Sequence, residues 1–249
     1  MIALVRSELL KVRTTRSWWA YLIAIALLSA LGAAGTIGSA VSSERGTADF
    51  QLDLVESMAV AVLISIILGI TIITAEFRHG TVTPTFLAAP HRERVIGAKA
   101  IAAVIVAIGF ALLSLLVILA VALPWFAIID VDTHFTDGEI VTRAAQQGLA
   151  AVLSVLMGIA IGAIVQSQVA ALVGTLVWLF LGETLLLGLF GLLDLDGLRP
   201  YLPFQALDGA DGTGGGDLLS YWPAVGVSLA WIAVIGLAGT ERTRRRDIT

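Results

Sequence analysis

The chain's 249 residues are 58% hydrophobic and only 14% charged, against roughly 45–50% and about 25% in soluble domains. So apolar a composition cannot be wrapped in enough polar surface for water, and the absence of cysteine excludes a disulfide scaffold and any thiolate metal site. The formal net charge of −4 says nothing about an acidic or basic partner, because it averages two opposed faces: twelve of the fifteen lysines and arginines fall in three patches, separated by acidic, nearly base-free gaps.

The first patch lies in residues 1–17. Ile2, Val5, Leu9 and Val12 recur at helical spacing, while Arg6, Lys11, Arg13 and Arg16 occupy other positions. This pattern predicts an amphipathic helix in the inner membrane interface, with Lys11, Arg13 and Arg16 near anionic headgroups and Trp18 at the same level. A plainer reading, a positive flank that only sets orientation, stays open. The apolar run that follows, 18–41, is too long for a signal peptide and lacks a clear small-residue cleavage site, so it reads as a span.

A membrane-crossing helix needs about 20 mostly apolar residues, and six runs qualify: 18–41, 54–75, 100–129, 145–165, 169–193 and 219–239. The third exceeds what a bilayer requires, and Pro124-Trp125 marks its outer interface, so it must tilt or bend. Only Gln166-Ser167-Gln168 separates the fourth from the fifth, which predicts a tight helical hairpin. In the fourth, Gly158-x-x-x-Gly162 permits close helix approach, within the subunit or between subunits.

Between the second and third runs lies the second basic patch, Arg78, Arg92, Arg94 and Lys99, in a segment of marked local order, 76–99. Arg78 and His79 suit the last turn of a helix, where cations complement the carbonyl dipole, and Gly80 suits the residue just past its end. Thr83 can cap a second helix, with Pro84 at its first position. That short helix, 84–89, would stop at Pro90, because a proline cannot continue it. The expected result is a rigid knob presenting Phe86 and Leu87 on the cytoplasmic side, a docking surface for a partner. Glu76-x-x-His79 has the spacing of one carboxylate–histidine metal pair, but bundle di-metal sites need a second pair and further glutamates. No metal site is expected.

The acidic gaps are 42–53, 130–142 and 194–218. The second carries Asp130, Asp132, Asp137 and Glu139 together with a solvated His134, and the third ends in a glycine-rich, aspartate-flanked turn, 211–217. One copy of such a tract is not a calcium-binding repeat; it reads as a flexible solvated turn. Glu183 is the one ionisable residue deep inside a run, and no Lys, Arg or His within any run can pair with it. A charge at mid-bilayer costs about 2.5–3.5 kcal/mol on insertion scales. Three readings stay open: a substrate-path or dimer-axis residue, a neutral carboxyl making a structural hydrogen bond, or a residue near the outer interface. The third basic patch, Arg242 to Arg246, follows the last run.

Because basic residues concentrate on the cytoplasmic side, the pattern predicts an all-α polytopic membrane protein with six transmembrane helices and both termini in the cytoplasm. Residues 1–249 read as one membrane domain, with an interfacial helix over 1–17, a cytoplasmic loop over 76–99 and an outer loop over 194–218.

The segment 76–99 also carries a family likeness. Glu76, Arg78, Gly80-Thr81, Leu87, Pro90, Arg92 and Ala98-Lys99, with Ser7-Glu8-Leu9-Leu10-Lys11, Thr14, Thr15, Arg16 and Trp18 near the start, resemble an ABC-2 type permease of the small actinobacterial kind. Leu202-Pro203-Phe204 resembles a weaker feature of the family. The resemblance implies that Glu76, Arg78, Gly80, Thr81, Pro84, Phe86, Leu87, Pro90, Arg92 and Lys99 form the coupling element that contacts a separate ATP-binding-cassette ATPase, which would hold ATP and Mg. It further implies a second permease copy, identical or paired, export of a small molecule, drug or lipid, and a place in the plasma membrane. It also implies re-entrant helices after the fifth span, which would draw 184–193 partly into the outer region.

The chain is not expected to be an enzyme or to hold a cofactor itself. A phosphate-binding loop requires lysine directly after glycine, yet Leu10 precedes Lys11, Ala98 precedes Lys99, and the sequence has no third lysine. An intramembrane enzyme built on Glu183 lacks a visible nucleophile–base pair. The expected partners are the ATPase, the second permease and membrane lipids, with no nucleic acid; the alternative is a membrane protein that binds a partner for sensing or assembly and moves nothing.

Overall fold

A computed structural model describes residues 1–79, 92–213 and 216–245, with the backbone alone at 76–79, 92–94, 96 and 243–245. The described residues are helical in the main, with no strand among them. Six helical stretches are long and apolar enough to cross a membrane: Arg16–Ser39, Ala48–Ala75, Gly97–Ile128, Gly138–Val165, Gln168–Leu192 and Tyr221–Arg242. All six expected spans are present, the second and fourth longer than expected by about two turns.

Helix α1 (Ile2–Thr14) stops at Thr15, whose extended backbone (ψ 144°) turns the chain into α2 (Arg16–Ser39). Helix α3 (Ala48–Glu56) is capped by the Thr47 hydroxyl, which accepts the Phe50 N–H at 3.3 Å, and leads across Ser57-Met58 into α4 (Ala59–His79). Helix α5 (Arg92–Ile128) runs for 37 residues, about 55 Å at 1.5 Å per residue against an apolar layer of about 30 Å. Its surplus lies at the start, which reaches back to Arg92, as well as beside Pro124.

Helix α6 (Gly138–Val165) ends where Gln166 takes the left-handed conformation (φ 58°) and donates its N–H to the Gly162 carbonyl at 2.9 Å. The chain then reverses into α7 (Gln168–Val177), the expected hairpin. A π-helical turn, Trp178–Gly182, joins α7 to α8 (Glu183–Leu192) in one span. A 3-10 turn, Asp196–Tyr201, and the short α9 (Pro203–Gly209), with proline at its first position, fold back before α10 (Tyr221–Arg245).

Helices α4 and α6 are the centre. More than half of their most apolar windows is buried, 56% and 61%, against 22% for α2 and 17% for the α7–α8 span and for α10. The outer helices present leucine and valine outward, Leu27, Leu31, Val173, Leu185 and Leu237 among them. A surface as apolar as the interior is what lipid demands and water forbids.

Glycine explains the central contact. A Cβ added at Gly158 would lie 2.2 Å from the Ile66 carbonyl oxygen of α4, and one at Gly69 of α4 would lie 2.1 Å from the Val155 oxygen of α6. The Gly158-x-x-x-Gly162 pair therefore serves packing within the chain, answered from α4 by Gly69.

Two further clusters sit at the ends. Phe110 gathers Trp18 and Tyr21 at ring-centroid distances of 5.9 and 6.0 Å, and Phe126 stacks on Phe135 at 6.1 Å. The first lies toward the end of the bundle that carries α1 and the basic patches, the second toward the end that carries the acidic gaps.

Candidate functional sites at the two ends of the bundle

At the basic end, α1 lies across the start of α5. Glu8, buried on the inward side of α1, accepts from Lys99 Nζ at 2.7 Å and from Lys11 Nζ at 2.6 Å. The chain's two lysines thus converge on one carboxylate. Burial acts to raise the Glu8 pKa, but the hydrogen bonds and charges of Lys11 and Lys99 outweigh it and hold the carboxyl below the usual glutamate range.

Lys99 is itself buried, so this pair is an internal fastening between residues 91 positions apart. A cleft of about 320 Å³ opens beside it, lined by Glu8, Lys11, Tyr21, Thr71, Lys99 and Gln168 among others. Across the cleft the Tyr21 hydroxyl meets Thr71 Oγ1 at 2.9 Å, tying α2 to α4.

Of the expected docking residues, Lys99 has the place just given. Glu76, Arg78 and Arg92 fall in the last described turn of α4 and the first described turn of α5, where only the backbone is described; the expected end of α4 lies at the edge of the described residues. Gly80, Thr81, Pro84, Phe86, Leu87 and Pro90, with the expected helix over 84–89, lie outside the described residues. Of the expected interfacial residues, Lys11, Arg13 and Arg16 are exposed, whereas Trp18 is half-buried against Phe110.

Toward the acidic end, the π-helical turn changes what the fifth span offers. It widens the helix for one turn, a local feature often found at functional positions, and sets Glu183 at the head of α8. The Glu183 carboxylate accepts the Phe204 N–H of α9 at 2.8 Å and the Trp178 indole N–H at 3.4 Å. A first-turn N–H of α9 thereby gains an acceptor, which gives the buried carboxyl a partner where no cation stands beside it among the described residues. Helix α9 in turn buries Phe204 and Leu207 under α6 and α10, and the 3-10 turn before it is pinned where Trp231 Nε1 donates to the Tyr201 carbonyl at 2.9 Å. Residues 184–192 continue the span, so the returning elements begin only at Asp196.

Around α9 stand Asp208 and Asp211, with Glu56 and Arg143 bridged to each other nearby. The low-dielectric surroundings, with Asp211 and Glu183 adding repulsion, push the accessible Asp208 carboxyl up to about 6. Burial also raises Asp211, against the Thr213 N–H and hydroxyl, which bond its Oδ1 at 2.8 and 2.6 Å. A cavity of about 410 Å³ lies between α4, α7 and α9 and reaches both aspartates. A second, of about 470 Å³, lies on the other side of α7, toward α6 and α10.

Sequence reasoning missed Glu8 as a buried partner, since it sits in an otherwise amphipathic stretch. The signal available was two lysines in 249 residues, each near a helix terminus at the same end. It also missed Asp208, which the reading of 194–218 as a loop left without a scaffold.

Among the described residues no group of histidines and carboxylates could hold a metal ion. Comparison with curated proteins found no match. A family model described as ABC-2 family transporter protein matches residues 4–182, from α1 through the π-helical turn. The match takes in both lysines and the whole of 76–99 and covers well over half the chain. The chain therefore belongs to the ABC-2 transporter family, as a multi-pass membrane component of an ATP-binding-cassette transporter.

Proposed function

We propose that this chain is the permease of an exporter in the plasma membrane, working as one half of a membrane dimer and driven by two copies of a separate ATPase that bind Mg-ATP. Both termini and the segment 76–99 face the cytoplasm, α1 lies in the inner interface, and 194–218 faces outward, as the distribution of basic residues argues. Phe86 and Leu87 present the docking surface, and the basic residues flanking them set its register on the ATPase.

The observation that carries this reading is the Glu8–Lys99 fastening. The segment 80–91 is continuous at one end with α4, which is locked through glycine contacts to α6, and at the other with α5, which is ion-paired through Lys99 to α1. A displacement of that segment by the ATPase is thus delivered to the centre of the bundle and to the interfacial helix together. ATP binding closes the ATPase pair, moves the second and third spans, and opens a path between the two permeases; ATP hydrolysis resets it.

The test is affinity isolation of the full chain in mild detergent, with every bound subunit identified. An ATPase that co-purifies and is stimulated by the permease supports the reading; its absence overturns it. Leu87→Asp, or Thr85→Pro, is expected to lower transport at least about ten-fold, by removing a central apolar anchor, while membrane insertion and ATP hydrolysis by the ATPase alone persist. Unchanged transport and assembly in these variants refutes the docking role.

A further inference from the structure

The cavity between α4, α7 and α9 combines features that the coupling role leaves unused. Its volume of about 410 Å³ falls within the usual range for small-molecule sites, about 300–1,000 Å³. Its walls are apolar, with Leu63, Ile67, Leu172 and Leu176 among them. Thr175 lines both this cavity and the one on the other side of α7, buried, and its hydroxyl has no hydrogen-bond partner among the described residues. A helical threonine ordinarily bonds a carbonyl of the preceding turn, and a buried hydroxyl left unpaired is costly. That hydroxyl lies in the wall shared by the two cavities, with almost no surface of its own exposed.

Asp208 and Asp211 close one end. The charges facing them are Glu183 beyond α9 and Arg143 of α6, and Arg143 is already bridged to Glu56 of α3. The local balance is negative, and both lysines of the chain are at the far end of the bundle. A phosphate headgroup or an organic anion would meet repulsion here, and a purely apolar molecule would cover the Asp208 carboxylate without answering it, Asp211 being already bonded by Thr213.

The geometry points to a binding site for an amphipathic organic cation: an apolar body between α4 and α7, and a positively charged group at Asp208 and Asp211. This assigns a substrate class to the permease proposed above and rests on that reading for the direction of transport. The site involves α9, downstream of the residues that match the family model.

The test is equilibrium binding of radiolabelled tetraphenylphosphonium to the full-length chain in a neutral detergent, beside tetraphenylborate, its anionic counterpart of the same shape. Saturable binding of the phosphonium, with the borate at least about ten-fold weaker, is expected. The phosphonium affinity should fall several-fold from pH 8 to pH 5, where Asp208 takes up its proton. It should fall about ten-fold in Asp208→Asn/Asp211→Asn, with an unfolding temperature no lower than that of the parent. Thr175→Val should weaken it by a smaller factor.

Equal binding of cation and anion, no saturable phosphonium binding, or an isotherm indifferent both to pH and to the double substitution overturns the assignment. The pH and borate arms use the parent protein, so they decide the matter even where a variant misfolds. No ATPase is present in the assay; loss of the permease reading would appear in the co-purification experiment and leave this isotherm unchanged.

Discussion

Helices α4 and α6 and the α7–α8 span are all apolar stretches of similar length, yet they are built into the molecule in opposite ways. The first two meet backbone to backbone at Gly69 and Gly158, with Gly162 close against Ile70. The α7–α8 span stands off its neighbours, with a cavity of about 410 Å³ on one side and about 470 Å³ on the other. Its polar anchor is the Glu183 carboxylate beneath the Phe204 N–H. Lipid tails are as apolar as leucine, so helices in a bilayer gain little from burial alone and are held by close packing and hydrogen bonds. One half of this bundle is held by the first means over several turns, and in the other the second means is prominent at Glu183. The proposed transport cycle would use both, a rigid body to carry force and a wall that can move.

Putting side chains into the close contact should have the largest effect. Gly158→Ala would place a methyl carbon 2.2 Å from the Ile66 oxygen, so α4 must move outward by about an ångström. The expected cost is about 3 kcal/mol, the upper part of the overpacking range, read as a lowered unfolding temperature in detergent. Gly69→Ala should do the same, and the double variant should cost clearly less than the sum, because both report one contact. Simple additivity would show the two sites to be independent and break the picture of a shared seam.

At the Glu183 anchor the expected effect is intermediate. Glu183→Leu leaves the Phe204 N–H buried without an acceptor, a loss of about 1–3 kcal/mol. Glu183→Gln retains an acceptor oxygen and should cost about 1 kcal/mol or less. Transport separates the readings that the sequence leaves open. A carboxylate that merely holds α9 is replaceable by glutamine without loss of export; one that serves the path or a second subunit is not.

What the sequence made legible follows the same division. Hydropathy marked all six spans, because a span is a property of about 20 consecutive residues and needs no tertiary information. The tight turn at Gln166 is a local signal, visible in the residues on either side. The pairing of Gly158 with Gly69 was half visible: the glycine spacing in α6 showed a surface fit for close approach, but the helix it meets is set by three-dimensional packing.

The π-helical turn at Trp178–Gly182, the fold-back of α9 and the burial of Glu8 beneath Lys99 left no periodic trace. Each depends on one long-range contact: Glu183 with Phe204, Phe204 with α6, Glu8 with the start of α5. The docking residues between Gly80 and Pro90 were read from turn chemistry and family likeness and lie outside the described residues, so their test is functional.

The smallest expected effect bears on the loose half. A Cβ added at Gly174 of α7 meets nothing within 4 Å, in contrast to the same change at Gly158. Helical alanine is favoured over glycine by about 0.5–1 kcal/mol, so Gly174→Ala should raise the unfolding temperature of the isolated chain slightly. The same change also probes what covers α7 in the working assembly. If a second permease packs on this face, the added methyl will weaken self-association, measured by sedimentation in detergent, while the single chain gains stability. If α7 faces only lipid or bound substrate, stability rises and association is unaffected. A fall in the stability of the isolated chain would mean that α7 sits closer to its neighbours than the two cavities allow, and the contrast with α4 and α6 would fail.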